Sequence, residues 1–318
     1  MRWDQLPRSD NVEDRRDDDG STYTGPGGPG GPGGFPVNTG GLGIGTVVVL
    51  GLVGWALGID PRLLIGGAEV LTRSQPQYEQ PSRPMQPGPN APRRTGAPTD
   101  ETGRFVAAVL GSADAQWKLI FEKAGQTYRG PRLVMFAGGT RSACGAASSA
   151  MGPFYCPADR EVYLDTSFFR EIETRFRGCS GKACEFSRAY VIAHEVGHHV
   201  QNLLGILPKA QQAQRASGDK VAANRLQVRV ELQADCFAGI WANHAEQKYK
   251  ILEPGDIDAA LQTAAAIGDD MLQKRARGVV VPDSFTHGTS EQRKRWFTNG
   301  FKAGTIAACN TFSASAQL

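Results

Sequence analysis

The chain has 318 residues, enough for one large domain or two ordinary ones, with 39 Gly and 19 Pro, too many for a uniformly packed globule. Its 35 basic and 32 acidic residues leave a net charge of +3, which removes the electrostatic case for nucleic acid as a partner. The six cysteines, Cys144, Cys156, Cys179, Cys184, Cys236 and Cys309, all lie in the second half, and no CxxC pair of the zinc-ribbon type occurs. An even number confined to one region points to disulfides and an oxidising compartment.

Composition divides the chain into four regions. Residues 1–40 are polar and then Gly/Pro-rich, ending in GPGGPGGPGGFPVNTGG, and are expected to be a disordered tail. Residues 41–60, GLGIGTVVVLGLVGWALGID, hold 19 uncharged residues from Gly41 to Ile59, close to the ~20 that cross a bilayer. With Trp55 near one end and no basic segment ahead of it, this run is expected to be a single transmembrane helix rather than a cleaved signal. Residues 61–100 are Pro-rich and poor in apolar side chains, as a semi-extended linker would be. Residues 101–318 form the folded domain. The first 20 residues carry four Arg against seven Asp/Glu, and Arg62 follows the run closely, so positive charge does not favour an N-in chain. The cysteine pattern argues that the domain lies outside, on the extracytoplasmic side, in a single-pass chain expected to meet the lipid bilayer through one span.

Within the domain, GRFVAAVLGSADAQWKLIFEKAG has apolar residues at helical spacing and ends at glycine. PRLVMFAGG reads as a strand, and MGPFY and EVYLD read as two short strands separated by the turn-like CPADR. Helical patterns then cover Ser187 to Leu204, about Lys220 to Gln247, and Ile257 to Lys274. A small sheet followed by helices gives an α+β fold.

Three of the five histidines fall within VIAHEVGHHV, residues 191–200. His194, Glu195 and His198 make the pattern H-E-x-x-H. Residues four apart on a helix share a face, so both imidazoles can reach one ion, and Glu195 beside them can meet a water. Ile192, Val196, Val200 and Leu203 cluster on the opposite side. His199 points between these faces and is expected to pack rather than ligate. Gly197, on the remaining flank, leaves room for a strand or substrate to approach.

A catalytic zinc site takes a third protein ligand. The H-E-x-x-H-x-x-G-x-x-H solution is excluded, because Gln201 and Leu204 stand at the positions of its glycine and third histidine. In RLQVRVELQADCFAGIWANH, residues 225–244, Glu231 and Asp235 lie four apart inside an apolar helical stretch. Glu231 as ligand, and Asp235 accepting the second ring N–H of a ligand histidine, would give both carboxylates a partner. The competing reading is a surface helix that pairs these acids with Arg225 and Arg229.

The segments MRW…NVEDRR, ACG…GPFYCP, AHEVGHHVQ, ELQADCFAG-W and THGTSEQR, with the Gly-rich tail and apolar run, resemble the bacterial neutral zinc metallopeptidases (YpfJ-like) over nearly the whole chain. The resemblance implies a zincin-like domain with Zn2+ on His194, His198 and Glu231, and Glu195 as general base toward a protein or peptide substrate. His287, in DSFTHGTSEQR, is the candidate donor to the tetrahedral oxyanion, with Arg293 second to it. His244 lacks an acidic or histidine companion and reads as structural. The strand-like MGPFY can pair with an extended substrate at its edge, limited by Pro153. Locality pairs Cys179 with Cys184 and Cys144 with Cys156, which leaves Cys236 for Cys309. The alternative function is a non-catalytic, zinc-containing interaction protein anchored at the membrane.

Overall fold

The structure is a computed structural model in which residues 1–17, 98–175, 177 and 179–316 are described. The chain divides into two units, Met1–Tyr23 with Pro92–Leu318 and Thr24–Ala91, and every described residue belongs to the first.

A four-stranded sheet runs in the order β1-β2-β6-β5, from β1 (Val12–Arg15), β2 (Arg132–Phe136), β5 (Phe154–Cys156) and β6 (Glu161–Asp165). β1, β2 and β6 are parallel, and β5 pairs antiparallel with β6 at one edge. Alternation along the strands splits the side chains between two faces. Leu133, Met135, Val162 and Leu164 enter the main core, while Val134, Phe136, Tyr163 and Cys156 form a second cluster on the other face. A separate hairpin, β3 (Gly139–Ser142) with β4 (Gly145–Ser148), lies between β2 and β5 in the chain.

The helices are α1 (Glu101–Lys123), α2 (Ser167–Thr174), α3 (Ala183–Leu203), α4 (Ile206–Ala216), α5 (Lys220–Tyr249), α6 (Asp256–Ala266), α7 (Asp269–Arg277) and α8 (Ser290–Ala303). Asp100 caps α1 by accepting from the Gly103 N–H, and Asp219 caps α5 by accepting from Val221 and Ala222. Thr289 and Gln292 close a reciprocal capping box at α8. Ile192, Val196 and Val200 of α3 are buried in the core with Phe237, Ile240 and Trp241 of α5. The architecture is therefore the expected α+β, a small sheet with helices.

Some expectations change. Residues 1–17 are not part of a disordered tail: Val12 to Arg15 extend the sheet, in register with Leu133 to Phe136. The Ser9 N–H also donates to the Ala107 carbonyl of α1 at 2.9 Å, and Arg16 pairs with Asp100 at 2.5 Å. The rest of that tail, the run at 41–60 and most of the linker at 61–100 lie outside the described residues. Among the described residues no helix is long and apolar enough to cross a membrane. The described segments on either side of residues 41–60 fold into one unit, joined by the pairing of β1 with β2. The helix expected over 257–274 is two helices, α6 and α7. Gly268 donates to the Ala265 carbonyl to end the first, and the Asp269 and Asp270 carboxylates are drawn to the segment 286–290.

All three disulfides follow the expected pairing: Cys144–Cys156, Cys179–Cys184 and Cys236–Cys309. The first ties the β3–β4 turn to the edge strand, and the last ties the C-terminal segment to α5.

Candidate metal centre

α3 presents His194, Glu195 and His198, and α5 presents Glu231 and Asp235. The two helices meet at Gly197. A Cβ there would lie 3.0 Å from the Ala234 carbonyl oxygen and 3.2 Å from its Cα. The room left by this glycine therefore admits α5, not a strand or substrate, and so places Glu231 over the two imidazoles.

His194, His198 and Glu231 each bring one ligand atom to a cluster whose atoms all lie within 4.8 Å of one another. Glu231 Oε2 is 3.2 Å from His194 Nε2 and 3.5 Å from His198 Nε2. The remaining polar atom of each residue is engaged elsewhere. His194 Nδ1 lies 2.9 Å from Asp235 Oδ1, His198 Nδ1 lies 2.9 Å from Gln201 Oε1, and the Gln227 amide donates to Glu231 Oε1 at 2.8 Å. Two imidazole nitrogens and one carboxylate oxygen thus converge with their second atoms already held, a donor set that fits zinc. Spacing alone pointed to Asp235. Gln201 and Gln227 were not anticipated, although they stand three residues after His198 and four before Glu231, on the same helix faces.

Asp235 is completely buried and has three partners. Besides His194, it accepts from the Tyr190 hydroxyl at 2.5 Å, and Arg293 Nε and Nη2 each donate at 2.9 Å. Burial alone would raise its pKa, but the Arg293 guanidinium and His194 hold the carboxyl down to about 2. This arrangement corrects the expectation for Arg293. Its guanidinium, only 3% exposed, is committed to Asp235, Tyr190 and the Ile267 carbonyl, and is not available to an oxyanion.

Glu195 is buried beside the cluster, and among the described residues its carboxylate has no hydrogen-bond partner. Burial raises its pKa, against the opposing pull of His194 and His198. His199 faces away: its Nδ1 lies 3.1 Å from the Tyr155 hydroxyl, and its Nε2 donates to the Arg129 carbonyl at 2.7 Å. Burial pushes this imidazole down to about 4. His244 donates to the Gly304 carbonyl at 2.8 Å, a structural contact.

His287 sits in the loop before α8 with half of its side chain exposed, its Nδ1 3.2 Å from Asp269 Oδ1. Asp269 was not anticipated. Its Oδ2 accepts the N–H groups of Thr286, His287 and Gly288 at 2.6, 2.6 and 3.1 Å, which fixes the loop. His287 and Glu231 interact electrostatically, so the histidine borders the cluster without belonging to the ligand set. The competing ion-pair reading of α5 fails, since Arg225 pairs with Asp283 and Arg229 donates to the Thr311 carbonyl.

A family described as "Putative neutral zinc metallopeptidase" matches residues 1–312. The protein YpfJ of Escherichia coli (strain K12) is 46% identical over 315 residues, covering 99% of this chain and 100% of its own. The protein Rv2575 of Mycobacterium tuberculosis (strain ATCC 25618 / H37Rv) is 41% identical over 274 residues, 81% of this chain and 85% of its own. No solved structure matches the chain. The match over almost the full length, including both ligand helices and the N-terminal strand, shows that the chain belongs to this neutral zinc metallopeptidase family.

Proposed function

We propose that the protein is a zinc-dependent peptidase of zincin-like design that hydrolyses peptide bonds, with Glu195 as general base. The observation that carries this reading is the convergence of His194, His198 and Glu231 beside a buried carboxylate that, among the described residues, has no hydrogen-bond partner. When bound, zinc supplies Lewis acidity toward the scissile carbonyl and lowers the pKa of water toward about 7. Glu195 takes a proton from the attacking water and returns it to the departing amine. His287, with Nδ1 turned to Asp269, has Nε2 left to donate to the developing oxyanion. β5, at the sheet edge, offers backbone groups to an extended peptide, and Pro153 removes one donor just before it.

The paired cysteines suit an oxidising compartment. The folded unit accordingly works on the extracytoplasmic side of the bacterial cytoplasmic membrane, with the apolar run at 41–60 as its means of lipid contact.

Glu195→Gln in the full chain tests the mechanism. The variant retains zinc by metal analysis, while hydrolysis of a broad peptide library falls about 10²–10⁴-fold. Wild type and variant that both hold zinc and are equally inert would instead support the non-catalytic interaction protein.

A further inference from the structure

The two ligand histidines are oriented by different chemistry. His194 is backed by a charged carboxylate, whereas His198 is backed by a neutral amide, which has no fixed polarity of its own. An amide can turn either its oxygen or its nitrogen toward the ring, and the two choices demand opposite imidazole tautomers. With oxygen facing the ring, Nδ1 carries the proton and Nε2 keeps the lone pair that a metal needs. With nitrogen facing it, Nδ1 must accept and the proton moves to Nε2, which then cannot ligate.

What fixes Gln201 lies farther along the network. Its Nε2 donates to the Val230 carbonyl at 2.7 Å and to Gln233 Oε1 at 3.0 Å. Reversing the amide would set its oxygen against both of these acceptors in a buried site, at the cost of two hydrogen bonds. Gln233 has the same ambiguity, and its own orientation is settled because its Nε2 donates to the Cys309 carbonyl at 2.9 Å. Cys309 is held in place by its disulfide to Cys236, one turn beyond Gln233 on α5. Two residues on, Thr311 Oγ1 donates to the Arg229 carbonyl at 2.7 Å. The C-terminal segment is thus fastened along α5 on both sides of Gln233, and a continuous buried path runs from Cys309 through Gln233 and Gln201 to His198 Nδ1.

We propose that Gln201 and Gln233 are positioning residues for the metal, through which the disulfide-held C-terminal segment sets the tautomer of His198. This rests on reading the cluster as a zinc centre. Gln233 touches neither that centre nor a ligand, so a loss of zinc affinity on changing it would report the path itself.

The test is zinc affinity of the full chain, by competition with a chromogenic chelator, for wild type, Gln233→Leu, Gln233→Glu and Gln247→Leu. Gln247 donates to Asn243 on the exposed face of the same helix and serves as control. Gln233→Leu, which removes the acceptor for Gln201 Nε2, binds zinc about tenfold more weakly, in the range known for outer partners of metal ligands, whereas Gln233→Glu, which keeps an acceptor there, stays closer to wild type. The control binds as wild type. Equal affinity in all four overturns the proposal and leaves the zinc reading intact, whereas absence of zinc binding by wild type overturns the zinc reading itself. Should the Gln233 variants not fold, ring-nitrogen NMR of metal-free wild type, at a pH where the His198 imidazole is neutral, decides the matter. A proton on His198 Nδ1 is expected, and a proton on Nε2 overturns the proposal.

Discussion

Asp235 is fully buried and Asp114 partly so, yet their environments drive the two acids in opposite directions. Asp235 has a guanidinium and an imidazole against it and stays ionised. Among the described residues Asp114 has only hydroxyl partners, Tyr128 at 2.9 Å and Ser9 at 3.5 Å, and burial pushes it up to about 7. Between its unfolded value near 3.8 and about 7, the folded protein therefore holds a proton that the unfolded chain releases. Stability from this group is fully present below that window and is lost as pH rises through it. Asp114→Asn removes the dependence, so denaturant midpoints at pH 5 and pH 8 differ less in the variant than in wild type. An unchanged difference would contradict the assignment. Residues were legible in the sequence where spacing encodes the contact. The H-E-x-x-H pair and the four-residue step from Glu231 to Asp235 both follow helix geometry. Gln201, Gln227 and Gln233 were not legible, because a buried amide leaves no pattern and the Gln233 partner, Cys309, lies 76 residues away. Arg293 was placed with His287 by chain position alone, and the carboxylate beneath His194 claims it instead.

Helices with long apolar periods were readable at the level of the element, and their crossings were not. α5 and α8 approach through two glycines. A Cβ on Gly300 would stand 1.9 Å from the Cys236 carbonyl oxygen, and one on Gly239 would stand 2.2 Å from that of Phe297. Neither contact can form without moving a backbone, so Gly300→Ala forces the helices apart. We expect a loss of about 1–3 kcal/mol in thermal or denaturant unfolding, the usual cost of overpacking. Because α5 carries Glu231, zinc affinity should fall with it; a variant with wild-type stability would show that the crossing is looser than described. β1 escaped detection for a different reason. Its sequence, VEDR, is short and mostly charged, and the strand it joins begins 120 residues after Val12 (132 − 12). Local periodicity carries no record of such a pairing. The division of 257–274 into two helices was hidden likewise, since the groups that recruit Asp269 and Asp270 come from residues 286–290.

For the whole molecule, composition separated the apolar run from the folded domain, but it could not reveal that residues 1–17 rejoin that domain. This pairing governs topology. In spheroplasts, a protease-cleavable tag inserted after Asp17 and a second tag at the C-terminus should be cut from the same face. Cleavage from opposite faces would mean that β1 does not pair with β2 in the membrane-bound protein. The three disulfides leave no thiol for a metal, so the central claim concerns nitrogen and oxygen donors alone. X-ray absorption at the zinc edge of the zinc-loaded full chain tests it most directly. The account predicts one zinc per chain with nitrogen and oxygen neighbours at about 2.0–2.2 Å and the scattering of two imidazoles. A sulfur shell near ~2.3 Å, or retention of that two-imidazole signal in His198→Ala, would contradict it.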